Sequence, residues 1–480
     1  MSSMPIIEIV RPSTFEPQNH WYEKALNATI HPMVSHFMNL SKSQIVNRYC
    51  HLNPKVQPEY LSDILSYRPK YYHLSGADLL HVTTESGNRQ MIVIENNSCP
   101  SGQKSMPLLN EYEEQGGYKR FIEHTVLPLL KWKKGKTAAV IYDKNYMEAS
   151  GYAHAMADLI NDQVFLVPFY NDVENEHIRI GHDGIHIRNA ENEWVFVDVA
   201  FRYLTQKPWN RLPIKSKTLI INPTIVCLAG GRNKMMASKA YSFYNSELED
   251  KNLGILTPKT IWDVQKNEIP LWVDQLGGKA VVKNPYSNAG QGVYTIVSQE
   301  ELDKFMNMDF HYDKFIVQAL IGNYDWSSTG NQGKFYHVGT IPNAKGHSYA
   351  LDFRMMIHAT KNGYEPISIY SRRTEKPLES KLVKGTDSWK ILGTNLSYKN
   401  SDGSWGSDTS RLLLMERKAF NNLGISLDNL VEGYIQTVLS SIAIDKMAIK
   451  LISSKGVLRK KLFASLNEDD VLLNEILMAP

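Results

Sequence analysis

The sequence predicts a mixed α/β fold, and three observations carry that prediction. Short apolar runs rich in β-branched residues, such as Ala138–Tyr142 and Val164–Val167, alternate with helical stretches. Two strand–loop–strand patterns stand far apart, one around residue 87 and one around residue 290. The 480 residues suffice for two to four domain-sized units with substantial cores.

Taken in order, residues 21–67 read as largely helical, with a break at Asn53-Pro54. A hairpin follows: Asp78–Val82, a polar turn through Glu85-Ser86-Gly87-Asn88, then Met91–Glu95. The basic connector Lys131–Lys136 leads to the strand Ala138–Tyr142, a helix from about Ala149 to Ile160 and the strand Val164–Val167. Strand, helix, strand in that order predicts a small unit with a parallel sheet, extended by Phe196–Arg202 and Thr218–Asn222. From residue 233 to 410 helices alternate with strands, beginning with a helix around Lys234–Glu247. The last 70 residues are mostly helical, with Ser426 or Asp428 as N-cap for a run from Leu430 to Ile442. The resulting units are 1–130, 131–232, 233–410 and 411–480.

Composition narrows the function classes. Hydrophobic residues make up 42% and charged residues 21%, and 53 basic against 50 acidic residues leave a net charge of +3. That balance argues against a dedicated nucleic-acid binder while allowing a local basic pocket. Cys50, Cys99 and Cys227 show neither a disulfide framework nor paired metal-ligand spacing. The opening Met1-Ser2-Ser3-Met4-Pro5 lacks the charged and apolar regions of a signal peptide. No apolar run approaches the roughly 20 residues that span a bilayer. A cytoplasmic protein with no membrane partner is expected; the oligomeric state is left open.

The segment most suggestive of chemistry is Ala280–Pro285, a short strand carrying Lys283 near its end. The small-residue loop Tyr286–Val293 and the strand Val293–Val297 follow it. Ser287, Gly290, Gln291 and Gly292 would expose backbone N–H groups to a phosphate, since glycine permits close approach. Alone, this pattern also fits an ordinary hairpin. Its surroundings add weight. Upstream lie Lys234, Lys239 and Leu253-Gly254-Ile255-Leu256-Thr257-Pro258; downstream lie Phe315–Ile321 and Leu351–Ile357.

That ordered series resembles the nucleotide-binding half of the ATP-grasp superfamily. The resemblance implies that Lys283 is a phosphate lysine, with either Lys234 or Lys239 as the other. It implies an adenine hinge at Gln318, Ala319, Leu320 and Ile321, and a phosphate arginine at Arg354. An arginine suits an oxygen-rich phosphate as a bidentate donor.

An ATP ligase also needs hard oxygen ligands for magnesium. Residues 401–480 contain no such motif. Gly76-Ala77-Asp78 with Glu95-Asn96-Asn97-Ser98-Cys99-Pro100-Ser101-Gly102 does resemble the metal segment of D-alanine–D-alanine ligases and their relatives. Side-chain alternation puts Glu95 and Asn97 on one strand face, which Asp78 on the paired strand would join. A metal segment preceding the lysine segment implies the circularly permuted ATP-grasp family. The predicted fold is thus a circularly permuted ATP-grasp fold with an inserted small α/β domain and a helical C-terminal segment. Asn96 departs from that family, which has an aspartate there. The loop before Gly292 is less glycine-dense, and the C-terminal segment has no counterpart.

The resemblance implies a ligase that uses ATP and Mg2+ to join a carboxylate substrate, such as an amino acid or peptide, to an amine through an acylphosphate. Its intermediates need cationic or N–H donors, for which Arg202, Arg354, Arg372, Arg373 and the Ser101-Gly102 backbone are candidates. Arg372 and Arg373 equally fit surface ion pairs. The Gly322–Asn331 stretch reads as either a closing loop or a surface insertion. A phosphotransferase and a non-catalytic nucleotide binder remain the alternatives.

Overall fold

The computed structural model describes residues 7–130, 135–170, 176–181, 183–287, 290, 292–330, 333–399 and 405–477. Gln291, with Asn288 and Ala289 of the predicted phosphate loop, lies outside the described residues, as do Met1–Pro5, Lys131–Lys134 and Asn331. The architecture is mixed α/β, as expected.

An edge strand β1 (Glu8–Val10) precedes short helices, among them Pro32–Met38, Lys42–Leu52 and Pro58–Leu65. Ser41 and Gln44 form a reciprocal capping box on the second, which ends at Asn53, where a break was expected. The predicted hairpin forms from β2 (Leu74–Thr84) and β3 (Arg89–Asn97), both longer than their apolar runs. Its register pairs Asp78 with Glu95 and Leu79 with Val93, leaving Ile94 as a bulge beside the two acids.

The parallel unit contains β4 (Ala138–Tyr142), the Tyr146–Ile160 helix and β5 (Val164–Pro168). A side sheet of β6 (Ile178–Gly181), β7 (Gly184–Arg188) and β8 (Trp194–Phe196) follows, then β9 (Val199–Tyr203) and β10 (Leu219–Ile221). The five-stranded order is β1-β5-β4-β9-β10, parallel except for β1. The run expected as one strand, Phe196–Arg202, is divided between two sheets. Asp198 accepts from Thr137 N at 2.8 Å and the Val197 carbonyl accepts from the Thr218 hydroxyl, turning the chain there.

Next comes an antiparallel sheet of β11 (Thr260–Gln265), β12 (Ala280–Lys283), β13 (Val293–Ile296) and β14 (Lys314–Gln318), in the order β11-β14-β12-β13. After β15 (Thr329–Gly330) and β16 (Gly333–His337), the long strands β17 (Leu351–Thr360) and β18 (Gly363–Arg373) return to the N-terminal hairpin. β17 pairs with β2, placing Arg354 opposite Asp78, and with β18, placing Asp352 opposite Arg372.

The C-terminal helix Leu427–Leu451 is capped by Ser426, which forms a capping box with Asn429. It is longer than its predicted run because it is buried on nearly every side. It packs against β2, β3, β17 and the Lys234–Leu248 helix, sharing one core with the N-terminal helices. Asp445, fully buried on it, accepts from Tyr67 Oη and the N–H groups of Lys70, Tyr71 and Tyr72 at 2.7–2.9 Å. Those bonds fix the segment entering β2, and Asn222 fixes it further by accepting from the N–H groups of His73 and Leu74. Among the described residues no helix is long and apolar enough to cross a membrane.

Candidate functional site

A cavity of about 570 Å³ lies between the β11–β14 sheet, the β2–β3–β17–β18 face and the carboxyl ends of β4 and β9. This volume is in the usual range for a nucleotide or drug-sized ligand. A recess of about 30 Å³ adjoins it, lined by Lys234, Ser287, Thr260 and Tyr241.

Lys283 ends β12 and is 5% exposed. Its ammonium makes no hydrogen bond or ion pair among the described residues. Burial lowers its pKa to about 8; Glu95 opposes that shift, Lys234 adds to it, and Asp78 opposes it again. A buried ammonium without a carboxylate against it is costly unless an anion arrives. Lys234 lies at the first turn of its helix, donating to Ser287 O at 2.8 Å and standing 3.5 Å from Glu95. Lys239, one turn later, faces elsewhere. Its ammonium donates to Asp263 at 2.6 Å and to Leu466 O at 2.7 Å, so it serves packing and not the cavity. Of the two candidate lysines, only Lys234 stands beside Lys283.

The loop neck is closed by Asn284 N donating to Gly292 O at 2.7 Å. Gly290, at φ 73°, lines the cavity beneath Trp389 and Asn395, where a Cβ would crowd both. Gln318, Ala319 and Ile321 line the wall with Val281, Val293 and Leu80. Leu320 does not. Its side chain packs on Trp326 and Ile391, and both its backbone groups are taken by Ser328. The Gly322–Gly330 stretch is folded down by the same contacts: Ser327 accepts from Gly322 N, and Trp326 donates to Glu379 O. None of its residues from Gly322 to Gly330 lines the cavity.

The acid face diverges from the magnesium expectation. Asp78, Glu95 and Asn97 do share one face and all line the cavity. Arginines already engage Asp78 and Asn97 Oδ1, while Glu95 has only Lys234 at 3.5 Å. Arg354 binds Asp78 through two bonds of 2.6 and 2.7 Å, and Arg372 stands 3.0 Å from the same carboxylate. Arg372 also pairs with Asp352, which accepts from Thr394 at 2.9 Å. Burial pushes the Asp78 pKa up, but Arg354 and Arg372 outweigh it and hold the carboxyl well below the usual range. Asp352 is shifted up, chiefly by burial, with Arg372 opposing and Asp78 adding. Asn97 Oδ1 accepts from Arg232 at 3.2 Å. No group of three His, Cys, Asp or Glu side chains among the described residues is arranged to hold a metal. As it stands, the Asp78 carboxylate is held by two guanidinium groups and not left open to a cation.

Two of the predicted arginines fall outside the cavity. Arg202 is fully buried, donating to Asn222 O, Leu204 O and Ser98 Oγ, and braces the strand ends behind the site. Arg373 stacks 4.7 Å from the Tyr349 ring. Asn96 points to the opposite side, donating to Ser75 and Ser441 and accepting from Tyr241. Its amide joins the hairpin to two helices, a task for a neutral side chain. Asp352 stood in the sequence only as part of the run leading to Arg354, and Glu148 was not singled out. Glu148 accepts from Gly102 N and Gln103 N at 2.7 and 2.6 Å, pinning the Pro100–Gly102 loop. A glutamate in the first turn of a helix is too common to have signalled this. Gly102 lies so close to Met356 and Tyr370 that a Cβ would sit 2.4 Å from the Met356 sulfur.

No family model matches the chain, and no curated protein does. Among solved structures, a glutathione synthetase-like effector from Globodera pallida is similar at 9% identity and TM-score 0.40, over 72% of this chain and 86% of that one. A RimK domain ATP-grasp protein from Sphaerobacter thermophilus is similar at 12% identity and TM-score 0.29, over 48% and 90%. D-alanyl-alanine synthetase A from Vibrio cholerae is similar at 12% and 0.33, over 55% and 95%. At such remote scores, the fold description rests on the strand order given above.

Proposed function

We propose that this chain binds ATP in the cavity and uses it to join a carboxylate to an amine. The observation that carries the reading is Lys283: a buried ammonium, unpartnered among the described residues, beside Lys234 on the wall of a nucleotide-sized cavity. In this reading the two lysines hold phosphate oxygens, while Gln318, Ala319 and Ile321 face the base. A carboxylate oxygen of the substrate attacks the γ-phosphorus and ADP departs. The amine then attacks the acyl carbon of the acylphosphate and phosphate leaves. Arg354 and Arg372 border the space where that charge would develop. The hairpin of Asp78 and Glu95 precedes Lys283 by roughly 200 positions yet faces the same cavity, an order that supports the circularly permuted arrangement.

The guanidinium clamp on Asp78 favours a second reading, nucleotide binding without turnover. ADP release, measured with ATP, magnesium and a panel of amino acids and dipeptides, separates the two. Release that depends on an acid, with a product lighter than its parents by one water, supports ligation. A phosphorylated acid as final product would indicate a phosphotransferase. Saturable ATP binding without release under any condition would leave binding alone.

A further inference from the structure

A second cavity, of about 690 Å³, lies at the turn end of the β17–β18 hairpin. It shares no lining residue with the first cavity. His358 stands on its wall opposite Glu365 in the β17–β18 register, so the two side chains share one sheet face. Along β17, His358 follows Arg354 by four residues, roughly 13 Å at strand rise. The helix Gly116–Phe121 contributes Lys119 and Arg120 to the same cavity, and Met38, Leu40, Ile45 and Pro366 give it apolar surface. Its volume is within the range of small-molecule sites.

His358 is 2% exposed, and its neighbours fix where its proton sits. Thr125 has one hydroxyl proton and gives it to the Ala359 carbonyl at 2.6 Å. The 3.0 Å contact between Thr125 Oγ1 and His358 Nδ1 therefore needs a proton on Nδ1. Burial, with His124 and Arg120 adding to it, lowers the His358 pKa to about 3. The ring is thus neutral and its lone pair lies on Nε2, which has no hydrogen-bond partner among the described residues. Glu365 accepts from Thr360 Oγ1 at 3.1 Å, and no cation pairs with it among the described residues. Two acceptors on one face call for a ligand donor that carries positive charge. The remaining charges are partly spent. Arg120 pairs with Glu113 at 3.1 Å, and Lys42 donates to Ser66 Oγ and Asn362 O. Lys119, like Glu365, has no ion-pair partner among the described residues, and Glu123 also borders the cavity.

We propose that this second cavity binds a free amino acid with an aliphatic side chain. Glu365 and His358 Nε2 hold its ammonium, Lys119 and Arg120 hold its carboxylate, and Met38, Leu40, Ile45 and Pro366 take its side chain. An amine alone would leave the two cations of the helix without an anion, and a carboxylate alone would leave Glu365 and Nε2 without a donor. The site does not rest on the ligase reading, since it is built from residues outside the first cavity.

Calorimetric titration of the full chain tests the site. The probes are L-leucine and the two analogues that each lack one of its charges, 4-methylpentanoate and 3-methylbutylamine. Leucine should bind at least about tenfold tighter than either analogue, the margin of one lost charge-assisted contact. Glu365→Gln and, separately, K119A/R120A should each weaken leucine binding by at least about tenfold. The non-hydrolysable nucleotide AMP-PNP should bind both variants within about twofold of wild type, and their thermal unfolding should stay cooperative, which guards against a folding defect. Leucine affinity unchanged in both variants overturns the proposal, because the amino acid then sits elsewhere, the first cavity included. So does binding of either analogue as tight as that of leucine, or no leucine binding by the wild-type chain. Leucine binding that follows these variants in a chain that does not bind AMP-PNP leaves this site standing and removes the nucleotide reading instead.

Discussion

The two charged groups on the cavity wall solve the same electrostatic problem in opposite ways. Asp78, Arg354, Arg372 and Asp352 are buried together and neutralise one another through close, partly bidentate pairs. Lys283, equally buried, makes no such close pair; Glu95 and Asp78 favour its charge without contacting it, and Lys234 opposes it. The first group is complete without a ligand. The second is complete only with one. Burial alone therefore does not mark a binding residue here; burial without a compensating partner does.

The largest effect should come from breaking the complete group. Asp78→Asn leaves two buried guanidinium groups short of a carboxylate, and should cost about 3 kcal/mol or more in urea unfolding. A loss below about 0.5 kcal/mol would mean the quartet is solvated and not self-contained. Lys283→Met should do the reverse in the ligand-free protein, raising stability by about 1 kcal/mol because it removes an uncompensated buried charge.

Next in size is the contrast between the two lysines of one helix. Lys234→Ala should weaken ATP binding by about tenfold or more, from the loss of one charge-assisted phosphate contact. Lys239→Ala should leave affinity within about twofold and lower stability by about 1 kcal/mol, since its ammonium serves Asp263 and Leu466. Equal effects on binding would place both lysines at the phosphates.

The smallest expected effect is on pH dependence. The Lys283 pKa falls from 10.5 to about 8 on folding, so between those values the unfolded chain holds a proton that the native chain has released. Ligand-free stability should therefore rise with pH across that window. ATP affinity should fall across it, because the ammonium is the binding form. Lys283→Met should remove the part of both slopes that Lys283 contributes.

Local pattern made much of this legible. The hairpin, the parallel unit and the lysine strand follow from alternation, turn residues and apolar runs, and the face shared by Asp78, Glu95 and Asn97 follows from strand period. What the sequence could not display was which neighbour each charge would meet. Lys234 and Lys239 differ by five positions on one helix, and only the fold turns one to the cavity and the other to Asp263. Arg202 and Arg372 look alike in sequence, yet one braces strand ends and the other contacts Asp78. The same holds at the expected metal ligands. Asp78 was identified, but the arginines holding it arrive from strands more than 250 residues away. The long Leu427–Leu451 helix, expected only as part of a helical C-terminal segment, fills the core behind the hairpin.

Calorimetric titration of ATP into the wild-type chain and into Lys283→Met tests the central claim most directly. The account predicts saturable binding to the wild type, weakened by at least about tenfold in the variant, whose fold is unchanged or more stable. Undiminished binding by Lys283→Met, or no binding by the wild type, would contradict it.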